Sequence, residues 1–351
     1  MKVLQIMDGK SFGGICKLFT DIEKNISNNI KFDYLTATNI HEKFYNLNID
    51  RKTLKGRIIY NHRLYKFLKT NKYDIVHINS GAFFFTFLCV IMCRLTCNKK
   101  TIVHSHNTPK INKVKRTLIK ILNPLYRKMT NVHLSCSSEA AKSLFTKTDD
   151  VIILKNGLDV NKFKYNEKIR NEYRKELGIE NKQVYGHVGR FDKQKNHDFL
   201  INLFYEIQKK QDAVLLLVGT GILEDEIKQK VKQLKIENKV LFLGFRDDVN
   251  KLLNCMDIFL FPSLYEGLGI VVIEAQTSGL PTFVSNGIPD EANISNNFHK
   301  INTFDIKEWT KQIANTKSKD RNNEYKNTIK KGFDIKNTSK QLEQIYKDLI
   351  K

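Results

Sequence analysis

No apolar run in this chain is long enough to cross a bilayer: the longest, Ala82 to Cys93, is 12 residues and stops at Arg94, whereas a spanning helix needs about 20. No secretory leader is read either, because Met1 runs directly into the strand-like KVLQIM. The six cysteines, at positions 16, 89, 93, 97, 136 and 255, lack paired metal-site spacing. Cys89, Cys93 and Cys97 recur every four residues, which stacks them on one helical face as small buried apolar groups. A reducing, cytoplasmic setting is the expectation.

Acidic residues are scarce, with 37 Asp and Glu against 59 Lys and Arg, a formal charge of +22. A field of that sign concentrates phosphates, nucleic acid or acidic lipid. A composition rich in lysine and asparagine would produce the same count, so the charge alone does not choose. Nucleic acid is not an expected partner: no DNA- or RNA-binding signature is present, and the aromatics fall mostly in apolar core runs. A D-x-D pair, the usual aspartate arrangement for holding a metal to a sugar diphosphate, is also missing.

What is present is an ordinary globular composition, 41% hydrophobic and 27% charged over 351 residues, enough chain for two domains of roughly 150 to 200 residues. Short β-rich runs alternate with amphipathic helical stretches, the pattern of βα units and parallel sheets. The first half offers strands at Val3–Met7, Phe32–Thr36, Ile75–Asn79, Thr101–Ser105, Val132–Ser135 and Val151–Leu154. The second offers Val184–Val188, Val214–Val218, Val240–Leu243, Ile258–Phe261 and Thr282–Ser285, after which the strand signal fades into polar helix. Two doubly wound α/β domains in tandem follow, residues 1–157 and 158–335, with Lys155 to Phe163 as the linker and a terminal helix, about 336–351, packing back on the first. Ligands of such sheets bind beyond the carboxyl ends of the strands.

The most informative stretch is FPSLYEGLGIVVIEAQTSGLPTFVS, Phe261 to Ser285. Glu266 lies in a loop beside Gly267 and Gly269, and Glu274 eight residues on lies inside the next helix. The glycines let the backbone approach a ligand, and the helix start offers free N–H groups to an anion. Carboxylates accept paired hydrogen bonds from vicinal hydroxyls, which suits a sugar and a ribose. The E-x7-E spacing followed by Gly279-Leu280-Pro281 resembles the signature of retaining glycosyltransferases of family 4, which have the two-domain GT-B fold, two Rossmann-like domains facing a cleft. The resemblance implies that Glu266 touches the donor sugar and Glu274 the ribose, with Gly267, Leu268 and Gly269 on the donor side.

A second motif, GHVGRFDKQKN from Gly186 to Asn196, ends a strand with two cations, Arg190 and Lys195. Fixed cations there could stabilise a departing diphosphate as a metal otherwise would. The motif resembles the family's G-R-x-x-x-x-K-N segment, which implies that Arg190 and Lys195 are diphosphate ligands and that no metal cofactor is needed. Gly219-Thr220-Gly221 also follows a strand, but Ile222, Leu223 and Glu224 come next and the dinucleotide fingerprint is incomplete. The resemblance puts Gly219 near the base and diphosphate.

In the first half, Asp8 to Leu18 contains Gly13 and Gly14, whose N–H groups could meet a phosphate; a purely structural turn is the alternative. The family places this loop at the cleft, which makes Gly14 the choice for donor or acceptor contact. His104 and His106 in TIVHSHNT are expected on opposite faces if the strand continues, and by position His106 resembles the family's cleft histidine, which implies a catalytic role. Lys113, Lys115, Arg116, Lys120, Arg127 and Lys128 surround Val114, Leu118, Ile119, Ile121, Leu122 and Leu125. That segment reads either as an amphipathic surface for acidic membrane or as a packed helix with a solvated basic face.

The resemblance implies a hexosyltransferase of surface polysaccharide assembly (capsule, exopolysaccharide or lipopolysaccharide), at the inner face of the plasma membrane. Its donor would be a UDP-sugar first and GDP-mannose second, its acceptor a glycan or lipid-linked oligosaccharide. A sugar-nucleotide 2-epimerase on the same fold is the alternative, and the E-x7-E spacing speaks against it.

Overall fold

The computed structural model describes residues 1–8, 14–38, 42, 44–49, 51, 53–96, 100–108, 112–316 and 320–351. Packing divides the chain into two compact units, Met1–Leu158 with Gly332–Lys351, and Asp159–Lys331. Each is a wholly parallel sheet flanked by helices, which is the α/β architecture expected of the alternating pattern.

The first unit holds β1 (Lys2–Met7), β2 (Lys31–Thr36), β3 (Tyr45–Asn46), β4 (Ile75–Asn79), β5 (Thr101–Ser105), β6 (Val132–Ser135) and β7 (Val151–Ile153), in the spatial order β3-β2-β1-β4-β5-β6-β7. Its helices include α1 (Gly14–Glu23), α2 (Leu54–Thr70), α3 (Phe83–Leu95) and α4 (Lys113–Met129). Helices cover both faces, so the strands are apolar on both sides. Leu4, Ile6, Val76, Ile78 and Val103 pack against α2, α3 and α4 through Leu64, Val90 and Tyr126. Val3, Ile75, Ile102 and Leu134 pack on the other face against Phe19 of α1 and against Leu342 and Tyr346.

Those last two residues belong to the C-terminal helix Ile335–Ile350, capped by Asp334, whose carboxylate accepts from the Lys336 N–H. The Tyr346 hydroxyl accepts from Gln5 Nε2 at 2.9 Å and lies 2.7 Å from His77 Nδ1. The chain therefore leaves this unit after Leu158 and returns to it at Gly332. Leu158 marks the exchange point: its N–H donates to Phe333 O, and its carbonyl accepts from the Ile335 N–H.

The second unit contains β8 (Gln183–Val188), β9 (Ala213–Val218), β10 (Val240–Phe242), β11 (Ile258–Phe261), β12 (Thr282–Ser285) and β13 (Phe298–Ile301), ordered β10-β9-β8-β11-β12-β13. The strand order reverses between β8 and β11, as it does between β1 and β4 in the first unit. These are the topological switch points at which open α/β sheets bind ligands.

Three sequence expectations change. β13 forms after Ser285, where no strand was expected. Its sequence, Phe-His-Lys-Ile, lies on the sheet edge with three of four residues partly exposed, so it lacks the apolar run of a central strand. The two-residue β3 is likewise an unexpected edge strand. The third concerns His104 and His106, which do not point to opposite faces: residues two apart line one face of a strand, and both side chains are buried with ring centroids 3.9 Å apart. Cys89 and Cys93 are buried on α3, as expected of that face, and Cys97 lies outside the described residues. Among the described residues no helix is long and apolar enough to cross a membrane.

Candidate active site

The carboxyl edge of the second sheet gathers most of the residues singled out above. β8 ends at Val188 and the chain turns through Gly189, Arg190 and Phe191 into a short 3-10 helix, Lys193–Lys195. Asp192 caps that turn: its carboxylate accepts from the Lys195 N–H at 3.2 Å and lies 3.3 Å from an Arg190 guanidinium nitrogen. One aspartate thus ties both cations of the motif to one loop. Asn196 follows in the left-handed region, φ 55°, which asparagine tolerates, and turns the chain into the helix His197–Gln208.

Across the switch point, β11 ends at Phe261 and the loop Pro262–Gly269 leads into the helix Ile270–Thr277. Glu266 is held from three sides. Its Oε1 is 2.5 Å from Lys195 Nζ and accepts from Ser263 Oγ at 2.7 Å, while its N–H donates to Gly287 O at 3.0 Å. The Lys195 ammonium also sits over the Phe261 ring, 4.6 Å from its centroid. Both partners are largely withdrawn from solvent, with side-chain exposures of 13% for Lys195 and 10% for Glu266. Arg190, at 71%, projects into solvent.

The remaining residues of this stretch differ in what they offer. Gly267 is buried, and the Leu268 side chain is in the core, so Leu268 has only its main chain to present. Gly269 adopts φ 78°, a left-handed conformation that suits glycine, and starts the helix. Glu274 lies in its second turn, partly exposed.

Gly219 belongs to the same edge. At φ +134° a Cβ there would run into the Gly189 carbonyl oxygen, so only glycine lets this loop lie against the one carrying Arg190. Gly189 N–H donates to Val218 O at 2.9 Å, Phe191 N–H to Thr220 O at 3.1 Å and Gly219 N–H to Gly244 O at 2.8 Å. The loops after β8, β9 and β10 are thereby stitched into one rim. Two large apolar side chains stand exposed on it, Ile222 and Phe245. Below the rim His187 donates from Nδ1 to Leu260 O at 2.9 Å and stacks on Phe261. Burial drives it well below the usual imidazole range, and it is held neutral.

The sequence reading missed Asp192, Ser263 and the pair Ile222 and Phe245. An aspartate three residues before Lys195 is a capping signal and was readable. Ser263 was not, because its role depends on the loop folding back on itself.

A cleft of about 400 Å³ lies at the opposite edge of this sheet, near Gln183, Asp257 and Pro281 at the amino ends of β8, β11 and β12. Its cations are committed internally. Arg170 pairs with Asp257 at 2.5 Å, and Arg321 donates to the carbonyls of Leu253, Asn254, Met256 and Ser278. Burial pushes Arg321 down to about 9. The candidate residues lie at the other, carboxyl edge.

In the first unit Gly14 is exposed and opens α1, while Gly13 lies outside the described residues. His106 is 5% exposed, with Nε2 3.3 Å from Asn79 Oδ1. It joins His104 and His77, whose rings stack 5.4 Å apart, and Phe19 meets all three in T-shaped contacts. Burial drives His77 and His104 well below the imidazole range and lowers His106 to about 3. Three adjacent neutral rings are the consequence. At the switch point of this sheet Asp8 accepts from Ser80 Oγ and pairs with Arg51, which lies over Phe85. Among the described residues no group of three or more His, Cys, Asp or Glu is arranged to hold a metal ion.

The sequence profile of glycosyl transferases group 1 matches residues 169–334, and that of glycosyltransferase family 4 matches residues 26–162. The chain is a GT-B glycosyltransferase of group 1 type. A putative glycosyltransferase, EpsF of Bacillus subtilis, is 29% identical over 83% of this chain and 80% of its own length. An Escherichia coli enzyme named UDP-Gal:alpha-D-GlcNAc-diphosphoundecaprenol alpha-1,3-galactosyltransferase is 27% identical over 82% of this chain and 78% of its own. The crystal structure of Anabaena HepE in complex with UDP-glucose superposes with a TM-score of 0.81 over 99% of this chain and 100% of its own, at 18% identity, a likeness of fold.

Proposed function

We propose that this glycosyltransferase moves a sugar from a UDP-sugar to a lipid-linked or glycan acceptor in the assembly of a bacterial surface polysaccharide, with retention at the anomeric carbon and without a metal ion. The observation that carries the reading is the meeting of Lys195 and Glu266 at the β8/β11 switch point, with Arg190 tied to the same loop by Asp192. The galactosyltransferase of E. coli bears a UDP-sugar and a diphosphoundecaprenol acceptor in its name, and HepE binds UDP-glucose, which supports the choice of donor and acceptor class.

In this reading the diphosphate lies against Arg190, Lys195 and the start of the helix Ile270–Thr277, whose N–H groups face the anion. Glu274 takes the ribose, Glu266 the sugar, and the base lies toward the rim that carries Gly219, Ile222 and Phe245. The bond from the anomeric carbon to the diphosphate oxygen breaks as the acceptor oxygen bonds on the same face, and the acceptor proton passes to the departing phosphate. The two cations and the helix terminus hold charge that develops on the leaving group, so they bind the transition state more tightly than the ground state. Gly14 is assigned to contact with the donor phosphates or the acceptor and His106 to a catalytic role, in a cytoplasmic enzyme working at the inner face of the plasma membrane.

The test is the melting temperature of the purified protein in chelator against UDP-glucose, UDP-galactose, their N-acetylated counterparts and GDP-mannose. A ligand at 100 times its dissociation constant adds about 2.7 kcal/mol of stability, so one UDP-sugar should raise the midpoint clearly. A rise with GDP-mannose alone would overturn the UDP assignment, and no rise with any donor in folded protein would overturn the donor site.

A further inference from the structure

The helix α4 is apolar on two sides. Ile119, Leu122, Asn123, Tyr126 and Met129 turn inward, and Ile119 and Tyr126 are fully part of the core of the first unit. A second stripe turns outward: Val114, Leu118, Ile121 and Leu125 are 77%, 43%, 68% and 52% exposed. Their spacing of four, three and four residues keeps them on one line along the helix. Isolated surface leucines need no explanation, but four in register on one helix form a patch.

The charge around this stripe is of one sign. The helix contains no Asp or Glu, and Lys113, Lys115, Arg116, Lys120 and Lys128 are exposed beside it. Arg127 is different, being paired with Asp150. None of the five exposed cations has an ion-pair partner among the described residues, so nothing within the fold offsets them. The first six residues of the helix, Lys113 to Leu118, are exposed all round, so both stripe and cations reach beyond the body of the unit. The neighbouring α3 adds exposed Leu88 and Leu95 with Arg94 near its end.

We propose that the outward face of α4 docks the enzyme on an anionic lipid bilayer, with Val114, Leu118, Ile121 and Leu125 entering the acyl boundary and Lys113, Lys120 and Lys128 meeting the headgroups. The inference deepens the lipid-linked-acceptor reading and rests on it for its use in the reaction; its physical basis is the surface itself. Charge selects the occupant. A second copy would bring another positive helix against this one, whereas acidic headgroups neutralise each lysine near the surface, and neither the apolar stripe nor the cations alone would give stable attachment.

The experiment is cosedimentation of the full chain with vesicles of phosphatidylcholine alone and with about a third phosphatidylglycerol. Wild type should bind the acidic vesicles at least about tenfold more strongly, less so as salt is raised. Leu118→Glu combined with Ile121→Glu, both exposed positions, should reduce that binding at least about tenfold with the melting temperature unchanged. So should Lys113→Glu combined with Lys120→Glu and Lys128→Glu. Equal binding by the variants, or absence of wild-type binding to acidic vesicles, overturns the proposal. So does a dimer in sedimentation velocity that Leu118→Glu dissociates while vesicles go unbound, because the partner is then a second copy. The donor-induced melting shift, read on the same samples, separates the two readings: docking with no donor response sinks the donor site, and a donor response without docking sinks the surface.

Discussion

Lys195 Nζ and Glu266 Oε1 lie 2.5 Å apart, so the cation proposed for the diphosphate and the carboxylate proposed for the sugar hold one another. Donor binding must then exchange this pair for new partners. Glu266→Gln keeps an acceptor for Ser263 and releases Lys195 from its charge partner. It should lower turnover at least about 100-fold while UDP binds as tightly as before or more tightly. Glu266→Ala should abolish transfer and cost about 1 to 3 kcal/mol through the unpaired ammonium. Full turnover in either variant, in a direct transfer assay, would remove Glu266 from the reaction.

The Arg190 side chain pairs with Asp192 and is mostly in solvent. Arg190→Ala should therefore leave the melting temperature within about 0.5 kcal/mol of wild type and weaken UDP about tenfold, as loss of a charged hydrogen bond does. Isothermal calorimetry with UDP reads this, and an unchanged Kd would reject Arg190 as a diphosphate ligand.

Gly219→Ala places a methyl group against the Gly189 carbonyl at a backbone angle that only glycine adopts freely. The expected cost is about 2 to 3 kcal/mol, with donor affinity falling because the Arg190 loop must move. Gly178→Ala is the control: it too has a positive φ, 66°, but no atom lies within 4 Å of the new methyl, so about 1 kcal/mol is expected. Chemical denaturation of the two variants compares them directly, and equal losses would show that the packing of the two loops contributes nothing.

The buried histidines make stability depend on acid. An unfolded imidazole takes up its proton near pH 6.5, whereas burial lowers His106 to about 3 and holds His77 and His104 well below their ordinary value. The stability they allow is complete above pH 6.5 and is lost as pH falls from there toward about 3, because only the unfolded chain then binds the protons. Neither ring nitrogen of His104 has a hydrogen-bond partner among the described residues, so His104→Leu removes a titrating group without breaking a bond. Its melting temperature should fall less between pH 7 and pH 5 than that of wild type. Parallel curves would show that this ring stays neutral in both states.

Much of the fold was readable because buried parallel strands announce themselves: β4 and β9, Ile-Val-His-Ile-Asn and Ala-Val-Leu-Leu-Leu-Val, are buried throughout. β13 was not, since an edge strand needs only one good neighbour and its sequence need not be apolar. At the site, the glycines and the two glutamates stand out by spacing, while Ser263 and Gly287 reach Glu266 through turns whose direction a linear pattern does not contain. The histidines show the opposite failure. Alternation puts residues two apart on one face of a strand, so the rule itself brings His104 and His106 together, as found, and the expectation that separated them misapplied it.

The return of the chain to its first unit also orders events during synthesis. Residues 159–331 are contiguous, so the second unit is complete once they have emerged from the ribosome. The sheet begun by Lys2–Met7 still lacks Leu342 and Tyr346 at that moment, and domains fold as units as their residues appear. The half made first is thus the half finished last, and its apolar face waits on the final 20 residues for its cover.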